Sequence, residues 1–320
     1  MVKGATKSVS GDGKAPAKAP VKAPRAKAKS GATRAKKKPV AAVTALPLVE
    51  PHERRVAGTL GGRRLAVCSP KGGVGKTTTA LRVAMALAGH FGLRVLVMDL
   101  DPSAGATRLL APKLITDPPA GTREVFLSGA AVEDVAVATG WGVDLCAASN
   151  ALSEVEAILP GRREREYVLR DALDKIPADR WDVVVLDCPP SHEQLPTNAL
   201  TATDAVLAVV QPSLLSVAAV PELEAMVSSF KRRLNPLLEH WGYLYCAVPE
   251  RERIAREMRE VLRRHVSDRL WPIEVRADTR MRGSLKRQAE EGRAVDDYVR
   301  VAREVLRRFD ALPKRVLSAN

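Results

Sequence analysis

The sequence predicts an α/β protein with a mostly parallel central sheet, covered by helices on both faces and preceded by a disordered basic tail. Three observations predict it. Short β-rich runs alternate with helical stretches from Arg63 onward. One apolar run, Leu65–Cys68, feeds straight into the glycine-rich octet Lys71-Gly72-Gly73-Val74-Gly75-Lys76-Thr77-Thr78 and an apolar helix. Two later apolar runs end in acids, Asp99-Leu100-Asp101-Pro102 and Asp187-Cys188-Pro189-Pro190, where parallel sheets present ligand-binding groups.

The chain begins with its least globular part. Residues 1–40 carry ten lysines and two arginines against a single acid, Asp12, for a net charge of +11. The Lys-Ala-Pro and Ala-Lys units of Ala15–Lys38 bury too little apolar surface to offset chain entropy. Pro39–Gly58 is less charged and reads as a linker, with a short helix near His52–Val56. The other 280 residues carry only +3 of the total +14, so the basic balance belongs to the tail and not to the fold. Such a tail suits sequence-independent contact with nucleic-acid phosphates. The organisation expected is therefore a tail and linker over 1–58, a folded domain over 59–312 and a short C-terminal tail over 313–320.

Within the domain, strands are predicted at Leu65–Cys68, Val95–Leu100, Val143–Ala147, Val183–Leu186, Ala205–Val210, Tyr243–Val248 and Trp271–Arg276. Helices are predicted at Thr77–Ala88, Glu164–Ile176, Val217–Leu234 and Ile254–Val266. Val183-Val184-Val185-Leu186 is apolar without alternation, the pattern of a strand buried on both faces. Val301, Val305 and Phe309 recur at i, i+4 and i+8 in a helix over Val299–Phe309, giving it a stripe that closes the core. No apolar run reaches the roughly 18–20 residues of a membrane-spanning helix. The N-terminus lacks the apolar stretch of a secretory signal, and a cytosolic protein is the simplest reading. Cys68, Cys146, Cys188 and Cys246 form no C-x-x-C pair, and the five histidines form no ligand cluster, so no metal other than one carried with a nucleotide is expected.

The octet carries the chemistry. A strand, a glycine-rich turn and a helix let backbone N–H groups converge on phosphate oxygens, with glycines permitting the close approach. Lys76 reaches toward the β- and γ-phosphates, and the Thr77 hydroxyl is placed to ligate Mg²⁺. The pattern G-x-x-x-x-G-K-[ST] is not met, because its first glycine falls on Pro70; an additional lysine, Lys71, stands in the loop instead. No N-K-x-D or T-K-x-D guanine-selecting motif occurs, which favours ATP over GTP.

That deviant loop, with Asp99–Pro102 and Asp187–Pro190, resembles the ParA/MinD group of P-loop ATPases over roughly residues 63–310. The resemblance implies a P-loop NTPase fold and a Mg²⁺-dependent ATPase. Gly72, Gly73, Val74, Gly75, Lys76, Thr77 and Thr78 would bind ATP together with Lys71, which would cross a dimer interface to the partner's nucleotide. Asp187 would hold the metal shell through water, beside Thr77. Asp101 would position or polarise the attacking water, and Asp99 would support that network. Relatives often read D-x-D-P-Q-G-N-A-T, whereas Ser103-Ala104-Gly105-Ala106-Thr107 follows Pro102 here.

Three functions compete within this group. A ParA-like partition ATPase would form an ATP-state homodimer on non-specific DNA, be released through hydrolysis stimulated by a ParB-like partner, and associate with the nucleoid in the cytoplasm. Its cargo would be a chromosome, a plasmid or another large assembly. Arg276, Arg280, Arg282, Lys286 and Arg287 would contact DNA, in a stretch resembling the family's I-P-R-N-V-R-L-x-E-A segment, and Lys231–Arg233 form a second basic cluster. No base-reading motif is evident, so these contacts would be made to the phosphate backbone. A MinD-like membrane ATPase would need a bulky amphipathic C-terminus, but Asp310–Asn320 is interrupted by Pro313 and poor in bulky groups, so no stable membrane insertion is expected. An iron–sulfur reductase would need two bracketing cysteines, and only Cys188 is suggestively placed.

Overall fold

Period-two burial along the central strands splits the apolar residues into two cores, one on each face of a sheet. In β1 (Arg63–Cys68), Leu65 and Val67 join one core, while Ala66 and Cys68 join the other. In β5 (Val183–Asp187), Val183 and Val185 face the first core and Val184 and Leu186 the second, which is why the run needs no polar alternation. The computed structural model describes residues 60–115, 120–191, 193–249, 253–281 and 292–313. The basic tail and linker and residues 314–320 lie outside the described residues.

Eight strands among the described residues form one sheet in the order β3-β4-β2-β5-β1-β6-β7-β8. The remaining strands are β2 (Val95–Asp99), β3 (Ala136–Ala138), β4 (Asp144–Cys146), β6 (Ala205–Val210), β7 (Glu239–Val248) and β8 (Leu270–Arg276). All pairings are parallel except β3 with β4. The seven strands expected from the sequence are present; β3 was missed because three half-exposed residues carry no pattern. Parallel order stacks the carboxyl ends of β1, β2 and β5 side by side, with Val67 and Asp99 both in register with Asp187.

One face carries α1 (Lys76–Gly89) against the long helix α11 (Arg293–Ala311), whose Val301, Val305 and Phe309 are wholly buried there. Burial of each such side chain stabilises the fold by about 1.5–3 kcal/mol. The stripe therefore serves the core, as its spacing predicts. The other face carries α3 (Thr122–Leu127), α6 (Val168–Asp174) and α7 (Gln194–Ala202), with Phe126, Leu169 and Leu195 wholly buried.

Two helices differ from expectation. The stretch expected from Glu164 becomes helical only at Val168, because Glu164 has φ 53° and Asn198 accepts from Leu169 N and donates to Arg165 O across the helix start. The stretch Val217–Leu234 divides into α8 (Leu214–Ala218) and α9 (Val220–Arg233), and Pro221 starts the second piece, where a missing N–H costs nothing. Short helices without a full apolar period were not anticipated, notably α2 (Gly105–Leu110), α4 (Val132–Val135) and α5 (Ser153–Ile158). In β7, Gly242 has φ 95° and a Cβ there would lie 1.9 Å from Arg269 O, so glycine alone permits this close approach beside β8.

Candidate phosphate and metal site

The loop from Ser69 to Gly75 leaves β1 at the middle of the sheet and turns into α1. Gly73 and Gly75 have φ 74° and 98°, left-handed values that favour glycine, and no side chain caps α1. A Cβ on either glycine would meet nothing within 4 Å, so the cradle opens on free space. Backbone donors at an uncapped helix start, with open space before them, suit an anion.

Lys76 is 6% exposed, and its Nζ donates to Lys71 O at 3.3 Å, folding the side chain back over the loop. Burial lowers its proton affinity, an effect opposed by Asp187 and Asp101. Lys71 Nζ donates to Ser213 Oγ at 3.4 Å within the same chain, and Gln211 Nε2 donates to Gly73 O at 3.3 Å, so the end of β6 supports the loop.

Asp187 ends β5 fully buried, and among the described residues neither carboxylate oxygen has a hydrogen-bond partner. The Thr77 hydroxyl acts on it from nearby, without meeting hydrogen-bond geometry. Burial first, then the charge of Asp99, push the Asp187 carboxyl well above its ordinary range, while Thr77 and Lys76 act the other way. An orphaned buried carboxylate beside a hydroxyl fits a hard divalent cation, which takes oxygen ligands. The residues present fit Mg²⁺.

Asp99 has the opposite setting. It is equally buried, but its Oδ2 accepts from Thr107 N and Thr107 Oγ1, both at 2.8 Å, and its Oδ1 accepts from Asp101 N at 3.2 Å. Its carboxyl is pushed up to about 6 by burial, against those hydrogen bonds. Asp101 stands half-buried one turn further out and accepts from Ser103 N at 2.8 Å. The structure thus brings Lys71, Lys76, Thr77, Asp99, Asp101 and Asp187 to one end of the sheet. Sequence reasoning missed the roles of Thr107, which grips Asp99 from eight residues on, and of Gln211 and Ser213, which meet the loop across 138 and 142 positions. Cys188 and Cys68 are buried beside them; burial pushes both thiols up, Cys68 to about 12, the setting of inert packing groups.

The basic residues are more scattered. Arg276 is bound to the buried Asp297, whose carboxyl hydrogen bonds to Arg276 and Arg300 hold below its ordinary range against burial. That pair ties β8 to α11. Arg280 lies in a short turn over Thr279–Met281, and Arg282, Lys286 and Arg287 lie outside the described residues. Lys231 pairs with Glu239, leaving Arg232 and Arg233 exposed at the end of α9. A basic face the sequence reading passed over lies on α10 (Arg253–Val266), with five arginines. Arg253, Arg259 and Arg263 have carboxylate partners; among the described residues Arg256 and Arg264 have none, and both are exposed. Their i, i+8 spacing on one helix face was the available signal.

Comparison with known proteins places this geometry. A family profile described as an AAA domain matches residues 62–240. The chain is 34% identical over 221 residues to the chromosome partitioning protein ParA of Caulobacter vibrioides, covering 68% of this chain and 82% of that protein. It is 31% identical over 254 residues to the chromosome-partitioning ATPase Soj of Thermus thermophilus, covering 77% of this chain and 96% of that one. Among solved structures, cobyrinic acid a,c-diamide synthase of Mycobacterium smegmatis with bound ADP and magnesium superposes with a TM-score of 0.68 and 29% identity, over 80% of this chain and 99% of that one.

Proposed function

The chain belongs to the ParA/Soj family of P-loop partition ATPases, and we propose that it binds Mg-ATP in the loop Lys71–Thr78 and uses hydrolysis to reset an ATP-dependent dimer held on non-specific DNA. One observation carries the reading: the buried, unpartnered Asp187 carboxylate close enough to act on Lys76 at the end of the glycine loop. Thr77 and Asp187 would hold Mg²⁺, which supplies charge neutralisation at the phosphates when bound. Lys76, buried in a low-dielectric pocket, stabilises charge growing on the transferred group more strongly than an exposed lysine does. Asp101, supported by Asp99, holds the attacking water in line. Lys71 leaves Ser213 to reach the phosphates of a second copy.

In this reading the DNA contact is electrostatic and indifferent to sequence. The free arginines of α10, Arg232 and Arg233 of α9 and the +11 tail supply its cations, and hydrolysis stimulated by a ParB-like partner releases the dimer. The cargo is a chromosome, a plasmid or another assembly carried on the nucleoid. Calorimetry with Mg-ATP, followed by light scattering and ATPase rates with and without random-sequence duplex DNA, tests the reading. Uptake of Mg-ATP, ATP-dependent dimers lost in Lys71→Ala, and DNA affinity falling about 10³-fold between about 50 and 200 mM salt are expected. Absence of Mg-ATP uptake would overturn the reading, and salt-insensitive DNA binding would overturn its DNA part.

A further inference from the structure

We propose that Thr107 is a positioning residue for hydrolysis, which fixes Asp101 through Asp99 and leaves nucleotide binding to the glycine loop. The inference rests on the functional reading above, in which Asp101 orients water. Asp99 is wholly buried, and among the described residues the hydrogen bonds to its carboxylate come from Thr107 and Asp101 N. One oxygen is gripped twice by Thr107; the other receives the Asp101 backbone N–H. The orientation of the D-x-D-P turn therefore depends on a carboxylate whose own orientation depends on Thr107.

The Thr107 hydroxyl is used in both senses. Its proton goes to Asp99 Oδ2, and its lone pair accepts from Ala148 N at 2.9 Å, beyond the end of β4. The hydroxyl is wholly buried and has one proton, so this pattern has one hydrogen-bond arrangement. Thr122 Oγ1 closes the network by donating to Asp99 O at 2.9 Å. Ser103 N and Ala104 N then bond back to Asp101, the latter with Ala104 at φ 55°, where a Cβ is disfavoured. A strained turn held at its root by one buried hydroxyl is sensitive to the loss of that hydroxyl. Removing it leaves Ala148 N–H buried without an acceptor and takes one of three donors from Asp99.

The glycine loop is anchored elsewhere, on β1, α1 and Gln211, so its hold on phosphate should survive. A displacement of about 1 Å at a group that orients a reactant costs roughly 100-fold in rate. The test uses the full chain as Thr107→Val and Thr107→Ser, with ATP affinity from calorimetry and hydrolysis from single-turnover rates. Expected are at least a ~10-fold slower hydrolysis in Thr107→Val with ATP affinity within ~2-fold, and recovery to within ~3-fold in Thr107→Ser. Should the valine variant not fold, Asp99→Asn is measured in its place. The amide cannot accept two hydrogen bonds from Thr107 on one oxygen and another from Asp101 N on its NH₂ group, so the same selective loss is expected. Wild-type hydrolysis in either substitute, a serine variant as slow as the valine one, or affinity falling in step with rate would each overturn the proposal. A wild-type chain that took up no Mg-ATP would overturn the parent reading and this inference with it.

Discussion

The two ends of the central sheet are built from the same residue types to opposite effect. At the amino ends every prominent acid is spoken for. Asp182 accepts from Arg94 N at 2.8 Å and from its guanidinium at 3.2 Å. Asp204 accepts from Arg64 N at 2.7 Å, while the buried Arg64 side chain reaches Asp174 at 2.8 Å and Ala202 O at 3.2 Å. Asp144 accepts from Trp181 Nε1 at 2.8 Å. At the carboxyl ends Asp187 is buried with no such partner, and Lys76 is folded onto a loop carbonyl. Polar groups staple the fold at one end. At the other the fold carries their desolvation cost for a ligand to relieve.

The largest test of that contrast is Asp187→Asn. Turnover should fall at least ~100-fold, while denaturant unfolding of the nucleotide-free chain should show stability unchanged or raised, since a buried carboxyl whose oxygens have no hydrogen-bond partner among the described residues is removed. A destabilised variant would break the comparison, because Asp187 would then be a structural acid like those at the far end. Asp182→Ala should do the reverse. It strips Arg94 of its carboxylate partner, leaving the guanidinium on Asp179 O, and leaves a backbone N–H unsatisfied, so stability should fall by about 1–3 kcal/mol with ATP turnover per folded molecule unchanged.

A smaller effect comes from His240 at the amino end of β7. It is flanked by Glu224, 3.8 Å from Nδ1, by Arg269 at 3.4 Å and by the Tyr243 ring; its Nε2 is buried with no partner among the described residues. Burial is the main cause of its depressed pKa of about 4, which the Glu224 charge opposes and Arg269 assists. The folded chain keeps the imidazole neutral where the unfolded chain takes up a proton, so stability should drop as pH falls from about 6.5 to about 4 and then level off. The loss is on the order of 3 kcal/mol. Chemical denaturation across that range should show a flatter profile for His240→Phe; an unchanged slope would mean that other groups set it.

Legibility in the sequence followed range along the chain. The strand, loop and helix from Arg63 to Gly89 could be read because each signal lies within a few residues of the next. Asp99 and Asp187 could both be placed at strand tips, yet no spacing rule told the gripped carboxylate from the orphaned one. Thr107 stands only eight residues from Asp99, but its hydroxyl is held in place by Ala148, 41 residues further along the chain. Likewise Arg276 read as one more cation in a basic run until its pairing with Asp297 was seen. Ser213 meets Lys71 across 142 positions, a contact that no spacing rule anticipates.

By itself the sequence determined the α/β alternation, the phosphate loop and the acids at the strand tips, because periodicity, glycine conformations and motif spacing are local properties of a chain. Only the tertiary structure decided the strand order, the cores that share each face, and which buried charges are satisfied and which are left waiting. The energy of a charge depends on its burial and on neighbours within a few ångströms, and in a parallel sheet with long crossovers those neighbours come from distant parts of the chain.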